Sequence, residues 1–270
     1  MAMAEDYTFN RTAHRPAPVI EGPTMQWATG LPTDDRRVYA GWLVESGRLE
    51  ELDLCMQDAG FKEITIKHGS GKFVSHWAVE CANVFLIADS VQMIADFKHS
   101  DRLTGMAAPR RYGIAFGWRM TDSGRMQSVL KCRVILRQLA MHGYLDPITI
   151  SVKSTLTGDL IAALMRQYDV LEAADAFRVL DKRPVLNPPL YAASLPLVAG
   201  QEVTRGATGA SKEISPMIAD VPNPITREYL RAHWIWKALI PTIESLMDET
   251  IAWSVEESKR IAEGQPQAVE

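Results

Sequence analysis

Seven basic residues and a single acid, Asp122, fall between positions 110 and 137 of the chain. The basic residues are Arg110, Arg111, Arg119, Arg125, Lys131, Arg133 and Arg137. Because the whole chain carries a formal net charge of −4, this local excess of positive charge does not follow from a generally basic composition. Guanidinium and ammonium groups concentrated in one segment are typical of a surface that binds polyanions such as nucleic acids.

Aromatic residues are interleaved with the basic and small residues of this stretch. In a strand over residues 111–120, Tyr112, Phe116 and Trp118 share one face, because successive side chains of a strand point to opposite faces. Such a row is a candidate platform on which unpaired bases stack, at about 1–3 kcal/mol per base. The alternative is that the row belongs to the hydrophobic core, which is the commoner environment of aromatic side chains on a strand.

The opposite face of the same strand is almost bare. Gly113, Ala115 and Gly117 would let a nucleic-acid backbone approach closely, while the flanking guanidinium groups contact its phosphates. Since charges are rarely buried without a partner, we expect the cations of this stretch to lie exposed on one contiguous positive surface. The expected set is Arg111, Arg119 and at least two of Arg125, Lys131 and Arg133.

A second candidate anion site lies at a predicted strand-to-helix turn. Its residues are Lys153, Ser154, Thr155, Thr157 and Gly158. Free backbone N–H groups and the positive end of the helix dipole make such a turn suitable for phosphate. The alternative is that Thr157 only caps the helix, with Asp159 in the first turn. The segment is not a P-loop, because no glycine stands five residues before a Gly-Lys pair.

No group of residues has the spacing of a catalytic or metal site. His68 and His76 flank a predicted hairpin turn, but no H-x-E or H-E-x-x-H spacing accompanies them. Glu80 and Asp89 lie on neighbouring predicted strands, where acids are commoner as edge or turn residues than as a nuclease carboxylate pair. We therefore predict no catalytic residue, no metal and no cofactor. Enzymatic activity stays open, and a protein that is not an enzyme is favoured.

Composition predicts an ordinary globular protein in a reducing compartment. The chain has 270 residues, 47% of them hydrophobic and 23% charged, which is enough to bury a core. The cysteines Cys55, Cys81 and Cys132 form no C-x-x-C pair, which argues against a disulfide framework. No basic N-terminal region precedes an apolar run, and no apolar segment approaches the ~20 residues that span a bilayer. We expect a cytoplasmic protein with no membrane partner.

The elements that must position these residues form a mixed pattern. Helical spacing of apolar residues predicts short helices over 36–45 and 48–59. Alternation from residue 61 then predicts a hairpin and a third strand over 83–89. Further strands are predicted over 111–120 and 148–152, the second leading into a helix. Residues 127–142 fit either a strand or a helix, and their length favours the helix.

The predicted fold class is α/β or α+β. It consists of an antiparallel β-meander with flanking helices, an adjoining strand-helix-strand-helix layer and a C-terminal helical segment. We divide the chain into an irregular arm (1–33), a mixed α/β core (34–181), a loop-rich connection (182–224), and C-terminal helices with an acidic end (225–270). The short helix over 91–97 would close the meander.

The C-terminal segment balances the basic stretch. Residues 240–270 hold seven acids and two bases, a net charge of −5. An acidic end can mimic phosphates and compete for the basic surface, or recruit a basic partner. The alternative is a solvated helix face followed by a loose tail.

Three functions agree with these features. The first, which we favour, is a protein that binds single-stranded nucleic acid, as an accessory of replication, recombination or strand annealing. The order helix, meander, helix over residues 48–97 is similar to the core of annealing-type recombination proteins, although no motif matches and membership is not inferred. The second is an enzyme acting on a phosphorylated small molecule at residues 153–158. The third is a scaffold or assembly subunit whose basic stretch meets a neighbour's acidic tail, and self-association stays open.

Overall fold

The computed structural model describes residues 22–32, 38–47, 49–67, 72–91, 113–121, 126–205 and 212–263. Over these residues the protein has a mixed α/β fold with a mostly antiparallel sheet, flanking helices and a C-terminal helix, which confirms the predicted fold class. Arg110, Arg111, Tyr112 and Arg125 lie outside the described residues, as does most of the predicted helix over 91–97.

The described strands fall between residues 24 and 219. They are β1 (Thr24–Pro32), β2 (Val38–Glu45), β3 (Lys62–Lys67), β4 (Phe73–Val79), β5 (Cys81–Leu86), β6 (Ile114–Met120), β7 (Met126–Leu136), β8 (Ile148–Lys153), β9 (Leu195–Ala199), β10 (Val203–Arg205), β11 (Lys212–Ile214) and β12 (Met217–Ala219).

Ten of these strands form one sheet. Its order is β12-β9-β5-β7-β8-β1-β2-β4-β3, and β6 pairs with β7 beside β5. All described pairs are antiparallel except β1 with β8. The third predicted strand, β5, pairs with β7 and β9, while β2 takes the place beside β4. β10 and β11 form a separate hairpin.

Five α-helices are described alongside these strands. They are α1 (Glu50–Asp58), α2 (Arg137–Ala140), α3 (Thr155–Leu180), α4 (Arg227–His233) and α5 (Ile240–Glu263), with 3₁₀ turns at Leu190–Ala192 and Lys237–Leu239. Pro241 lies in the first turn of α5, where proline costs no helical hydrogen bond. Within the described residues, no helix combines the length and apolar character needed to cross a membrane.

The two long helices cover opposite faces of the sheet. Thr157 of α3 contacts Ser128 of β7, so α3 lies on the face that Ser128 shares with Leu130. Lys131 of β7 contacts Glu257 of α5, so α5 lies on the other face. Buried apolar residues of β5, β7 and β8 fill the space beneath both helices. The sheet is therefore a central layer between helices.

The prediction of a helix over 127–142 is wrong for most of that segment. β7 extends to Leu136, and only the four residues of α2 follow it as helix. Central strands are covered on both faces and so carry nearly continuous apolar runs, which local pattern cannot tell from a buried helix. Leu130, Cys132 and Val134 face one side of the sheet, and Val129 and Ile135 the other.

Two predictions at the N-terminal side are also wrong. Residues 24–32 of the predicted irregular arm form β1, and the predicted helix over 36–45 is largely β2. Trp27 and Trp42 explain the difference, because they pack edge to face at 5.1 Å between ring centroids. Their indole N–H groups donate to the carbonyls of Ser215 and Leu197, more than 150 residues away. Long-range contacts therefore override the local helical pattern.

The segment 182–224 contributes more than connections. Its strands β9 and β12 extend the main sheet at one edge, beyond β5. α3 packs against β12. Arg205, at the end of β10, forms a two-pronged ion pair with Asp159 in α3, at 2.8 and 2.7 Å. The β10–β11 hairpin is thus fastened beside the N-terminus of α3.

Candidate nucleic-acid interface

The ends of three adjacent strands bring together residues from both predicted anion sites. Arg119 of β6 pairs in register with Gln127 of β7, and Val129 of β7 pairs with Lys153 of β8. Cross-strand partners point to the same face, so Arg119, Gln127 and Lys153 share the face on which α5 lies. We call Arg119, Gln127, Lys153, Ser154 and Thr155 the strand-end cluster.

Gln127 links the guanidinium to the turn. Arg119 Nε and Nη2 donate to Gln127 Oε1 at 3.1 and 2.9 Å. The amide Nε2 of Gln127 in turn donates to Ser154 Oγ at 3.0 Å. Because one planar amide fixes both neighbours, the guanidinium is held in place without neutralisation of its charge. Among the described residues, neither Arg119 nor Lys153 forms an ion pair with an acid.

Lys153 lies in a cationic environment. Its side chain is exposed by surface area, yet partial burial of the ammonium lowers its pKa, and Arg119 and Lys131 lower it further. An anion bound at this position would relieve the repulsion among the three cations. The charge at the strand ends is therefore positive and uncompensated within the described part of the chain.

The turn between β8 and α3 has a strained residue at its centre. Ser154 has φ 57° and ψ −129°, a conformation that costs a residue other than glycine of order 1–3 kcal/mol. Its carbonyl accepts hydrogen bonds from Ser128 Oγ at 3.2 Å and Thr157 Oγ1 at 2.6 Å. Its N–H donates to the Ser128 carbonyl at 2.8 Å. These bonds over-determine the turn and hold Ser154 Oγ toward Gln127.

Thr157 does not have the role expected of it. Neither alternative holds, because Ser154 occupies the N-cap position and Thr157 is a buried residue inside the first turn. Its hydroxyl hydrogen-bonds within the protein to Ser154 and Ser128. Thr157 thus stabilises the turn, while the exposed hydroxyls are those of Ser154 and Thr155.

The first turn of α3 presents an open surface. A Cβ added to Gly158 would meet no atom within 4 Å, so packing does not require the glycine that a helix disfavours. The N–H of Thr157 already donates to the Ser154 carbonyl at 3.1 Å, and those of Thr155 and Leu156 lie at the positive end of the helix dipole. Asp159, the acid nearest this turn in sequence, is already paired with Arg205. A phosphate can therefore approach the backbone of this turn closely.

Lys131 and Arg133 are not on this surface, and the expectation that at least two of Arg125, Lys131 and Arg133 are exposed is not met. Lys131 Nζ lies 2.6 Å from Glu257 Oε1, and both side chains are 7% exposed. Arg133, 3% exposed, lies 2.8 Å from Glu249 Oε1, with its guanidinium 4.8 Å above the Trp253 ring. Both cations therefore hold α5 on the sheet.

The bare strand face is covered by the same helix. A Cβ at Gly117 would lie 2.9 Å from Ile261 Cγ2, and the N–H of Phe116 donates to Ser258 Oγ at 3.2 Å. Gly117 permits a close backbone approach, as predicted, but the approaching element is α5. In the conformation described, α5 therefore occupies this face at Ala115 and Gly117, where the nucleic-acid backbone was expected.

The aromatic row belongs to the core. Phe116 is 6% exposed, Trp118 packs half-buried against the main core, and their rings meet edge to face at 6.2 Å. Phe116 is therefore a core residue, and Trp118 packs on the same core while part of the residue stays exposed.

The sequence analysis did not identify Gln127, Glu249 or Glu257 as functional residues. Gln127 begins the segment that was predicted as a helix, and a strand over 126–136 would have placed it opposite Arg119. Glu257 stands next to Ser258 and between Ser254 and Ile261, all buried on one face of α5. The position of an acid on that apolar stripe was the available signal for a buried ion pair.

The described residues contain no cluster of three or more His, Cys, Asp or Glu side chains able to hold a metal ion. No protein-family model, no curated protein and no solved structure matches the chain.

Proposed function

We propose that the protein binds single-stranded nucleic acid through the strand-end cluster. The observation that carries the proposal is the meeting of Arg119 with the turn after β8, through Gln127. These residues are more than 30 positions apart in the chain, and each was assigned to an anion site separately. Roles in replication, recombination or strand annealing are proposals of the same kind.

Phosphate contacts would dominate the binding. Arg119 and Lys153 supply two cations, Ser154 and Thr155 two hydroxyls, and the first turn of α3 supplies backbone N–H groups. Phe116 is buried in the core and offers no stack to a base. Recognition of this type responds steeply to salt and weakly to base sequence. The free thiols of Cys55, Cys81 and Cys132 support a reducing cytoplasm.

The first test removes both cations of the strand-end cluster. We expect the double variant Arg119→Gln, Lys153→Gln to bind a labelled oligothymidine more weakly and with a salt slope shallower by roughly 1.4, since each single-strand phosphate contact contributes about 0.7. Fluorescence anisotropy at several salt concentrations measures the slope.

The matched control is Lys62→Gln with Lys182→Gln, which changes net charge equally. Lys62 lies on β3 at the far edge of the sheet, and Lys182 follows the C-terminal end of α3. The control should keep the wild-type slope. An unchanged slope in the cluster variant would place the binding surface elsewhere.

The same assay separates the other two functions. A site for one phosphorylated small molecule predicts equal affinity for short and long oligothymidines and ready displacement by a nucleoside monophosphate. A scaffold predicts no oligonucleotide binding and a large mass in solution. Lys131 and Arg133 are paired with acids of the same chain, so they are no argument for a neighbour's acidic tail.

A further inference from the structure

The second half of α5 docks on the sheet through polar and charged groups. The first half enters the main core with Ile240, Ile243 and Met247. Beyond it, the only apolar residues of α5 in the small cluster with Ala115 and Val129 are Trp253 and Ile261. The other buried positions of this half, among the described residues, are Thr250, Ser254, Glu257 and Ser258. Four of the six buried positions of this half are polar, whereas the three buried positions of the first half are apolar. Ile251 also packs, partly buried, against the main core.

The charges in this interface match those of a nucleic-acid complex. Two cations of one strand face, Lys131 and Arg133, are paired with Glu257 and Glu249 at 2.6 and 2.8 Å. Removing an acid alone would leave a buried uncompensated cation, whereas a phosphate in its place restores the compensation. Exchange of carboxylate for phosphate is therefore a displacement that keeps both cations compensated.

The covered cations continue the exposed cluster. Lys131 stands two residues along β7 from Val129, which pairs with Lys153, and all three side chains share one face. Lys131 is also among the charges that lower the pKa of Lys153. Arg133 follows on the same face, so Arg119, Lys153, Lys131 and Arg133 line one continuous path, half of it beneath α5.

Displacement of this half would leave the sheet intact. α5 is the last described element, and no described strand pairs through it. Its described hydrogen bond to the sheet backbone runs from Phe116 N–H to a side chain, Ser258 Oγ. Because the first half is anchored in the core, separation of residues 249–263 from the sheet would leave the helix attached.

We propose that residues 249–263 of α5 act as an internal substitute for a nucleic-acid backbone, and that a single strand displaces them to bind Lys131 and Arg133. The inference rests on the proposed function, and it extends the same site to two cations that α5 covers. Full binding therefore requires the opening of α5, and α5 limits binding to strands long enough to reach both parts.

A reversible disulfide tests the displacement. An ideal Cβ at Gly117 lies 3.3 Å from Ile261 Cβ, close to the ~3.5–4.5 Å that joins two half-cystines. The variant Gly117→Cys, Ile261→Cys, in a background of Cys55→Ser and Cys81→Ser, would lock α5 when oxidised and release it when reduced. Cys132 is fully buried and can remain. The single change Ile261→Cys in the same background controls for the lost side chain.

Binding of a labelled oligothymidine of about 30 nucleotides is measured for both redox forms over a range of salt concentrations. We expect the reduced form to bind more tightly, with a salt slope steeper by roughly 1.4 for two added phosphate contacts. Equal slopes in the two forms would overturn the inference and leave binding at the strand-end cluster intact. Absence of binding in both forms would overturn the proposed function, and the inference with it.

The unmodified chain gives a second measurement. Hydrogen exchange of the amides in residues 249–263 should accelerate when the oligothymidine is added, and exchange in residues 240–247 should not. Unchanged or slower exchange in 249–263 on binding would also overturn the displacement. This measurement does not depend on whether the cysteine variant folds.

Discussion

Gly158 is the residue whose role is least explained by the fold. It lies in the first turn of α3, where an added Cβ would meet nothing. We expect Gly158→Ala to raise the free energy of unfolding by about 0.5–1 kcal/mol, the usual advantage of alanine in a helix, and to weaken oligonucleotide binding. Thermal unfolding and anisotropy measure the two effects.

Gly143 is the control for this substitution. It is equally open, but its φ is +93°, so Gly143→Ala should lower stability and leave binding unchanged. Unaltered binding by Gly158→Ala would mean that no phosphate approaches this turn closely.

The lowered pKa of Lys153 predicts that nucleic-acid binding depends on pH. Its pKa is lowered from the usual 10.5 by partial burial, Arg119 and Lys131, so the free folded protein releases this proton at a lower pH than the unfolded chain does. Folding stability contributed by this group therefore rises with pH between the two values. A bound phosphate favours the protonated form, so affinity should fall as pH rises through the lowered pKa.

Titration calorimetry in buffers of different ionisation enthalpy measures the proton uptake. We expect Lys153→Arg to keep the affinity and to remove this pH dependence, because a guanidinium stays charged throughout the range. A wild-type profile in that variant would assign the titration to another group.

At the scale of elements, α5 is held by two buried ion pairs. Breaking one by Glu257→Gln leaves Lys131 buried without a compensating charge, and we expect a loss of about 3–5 kcal/mol in the free energy of unfolding. Glu256 is a matched control, since it pairs with Lys259 at the exposed surface and such pairs contribute at most ~1 kcal/mol. Urea unfolding of both variants measures the difference. Similar losses in the Glu257 and Glu256 variants would show that the Lys131–Glu257 pair contributes no more to stability than an exposed ion pair.

The elements differ in how far local pattern revealed them. α1, β3, β4, β6 and β8 were predicted from the period of their apolar residues and from the turn residues beside them. β7 was not, because it is covered on both faces and has no such period. β1 and β2 were not predicted, because Trp27 donates to the carbonyl of Ser215 and Trp42 to that of Leu197. A pattern read over a few neighbouring residues includes neither partner.

At the scale of the whole molecule, the opposite charges of the basic stretch and the C-terminal segment meet inside one chain. Lys131 and Arg133 are satisfied by Glu257 and Glu249, so part of the asymmetry that suggested a polyanion partner stabilises the fold. What remains for a partner in the described conformation is the strand-end cluster, where two stretches distant in sequence converge. Its net positive charge, on a chain of net charge −4, would orient an approaching strand toward it.

The amino-acid sequence by itself determined the mixed fold class, the strand at Ile114–Met120, the turn into α3 and the two candidate anion sites. These follow from side-chain period, turn residues and charge, which act between near neighbours. Only the tertiary structure decided which cations are exposed, because the burial of Lys131 and Arg133 depends on a helix more than 100 residues later. It also decided that Arg119 and Lys153 lie together, because strand register joins residues that no local interaction relates.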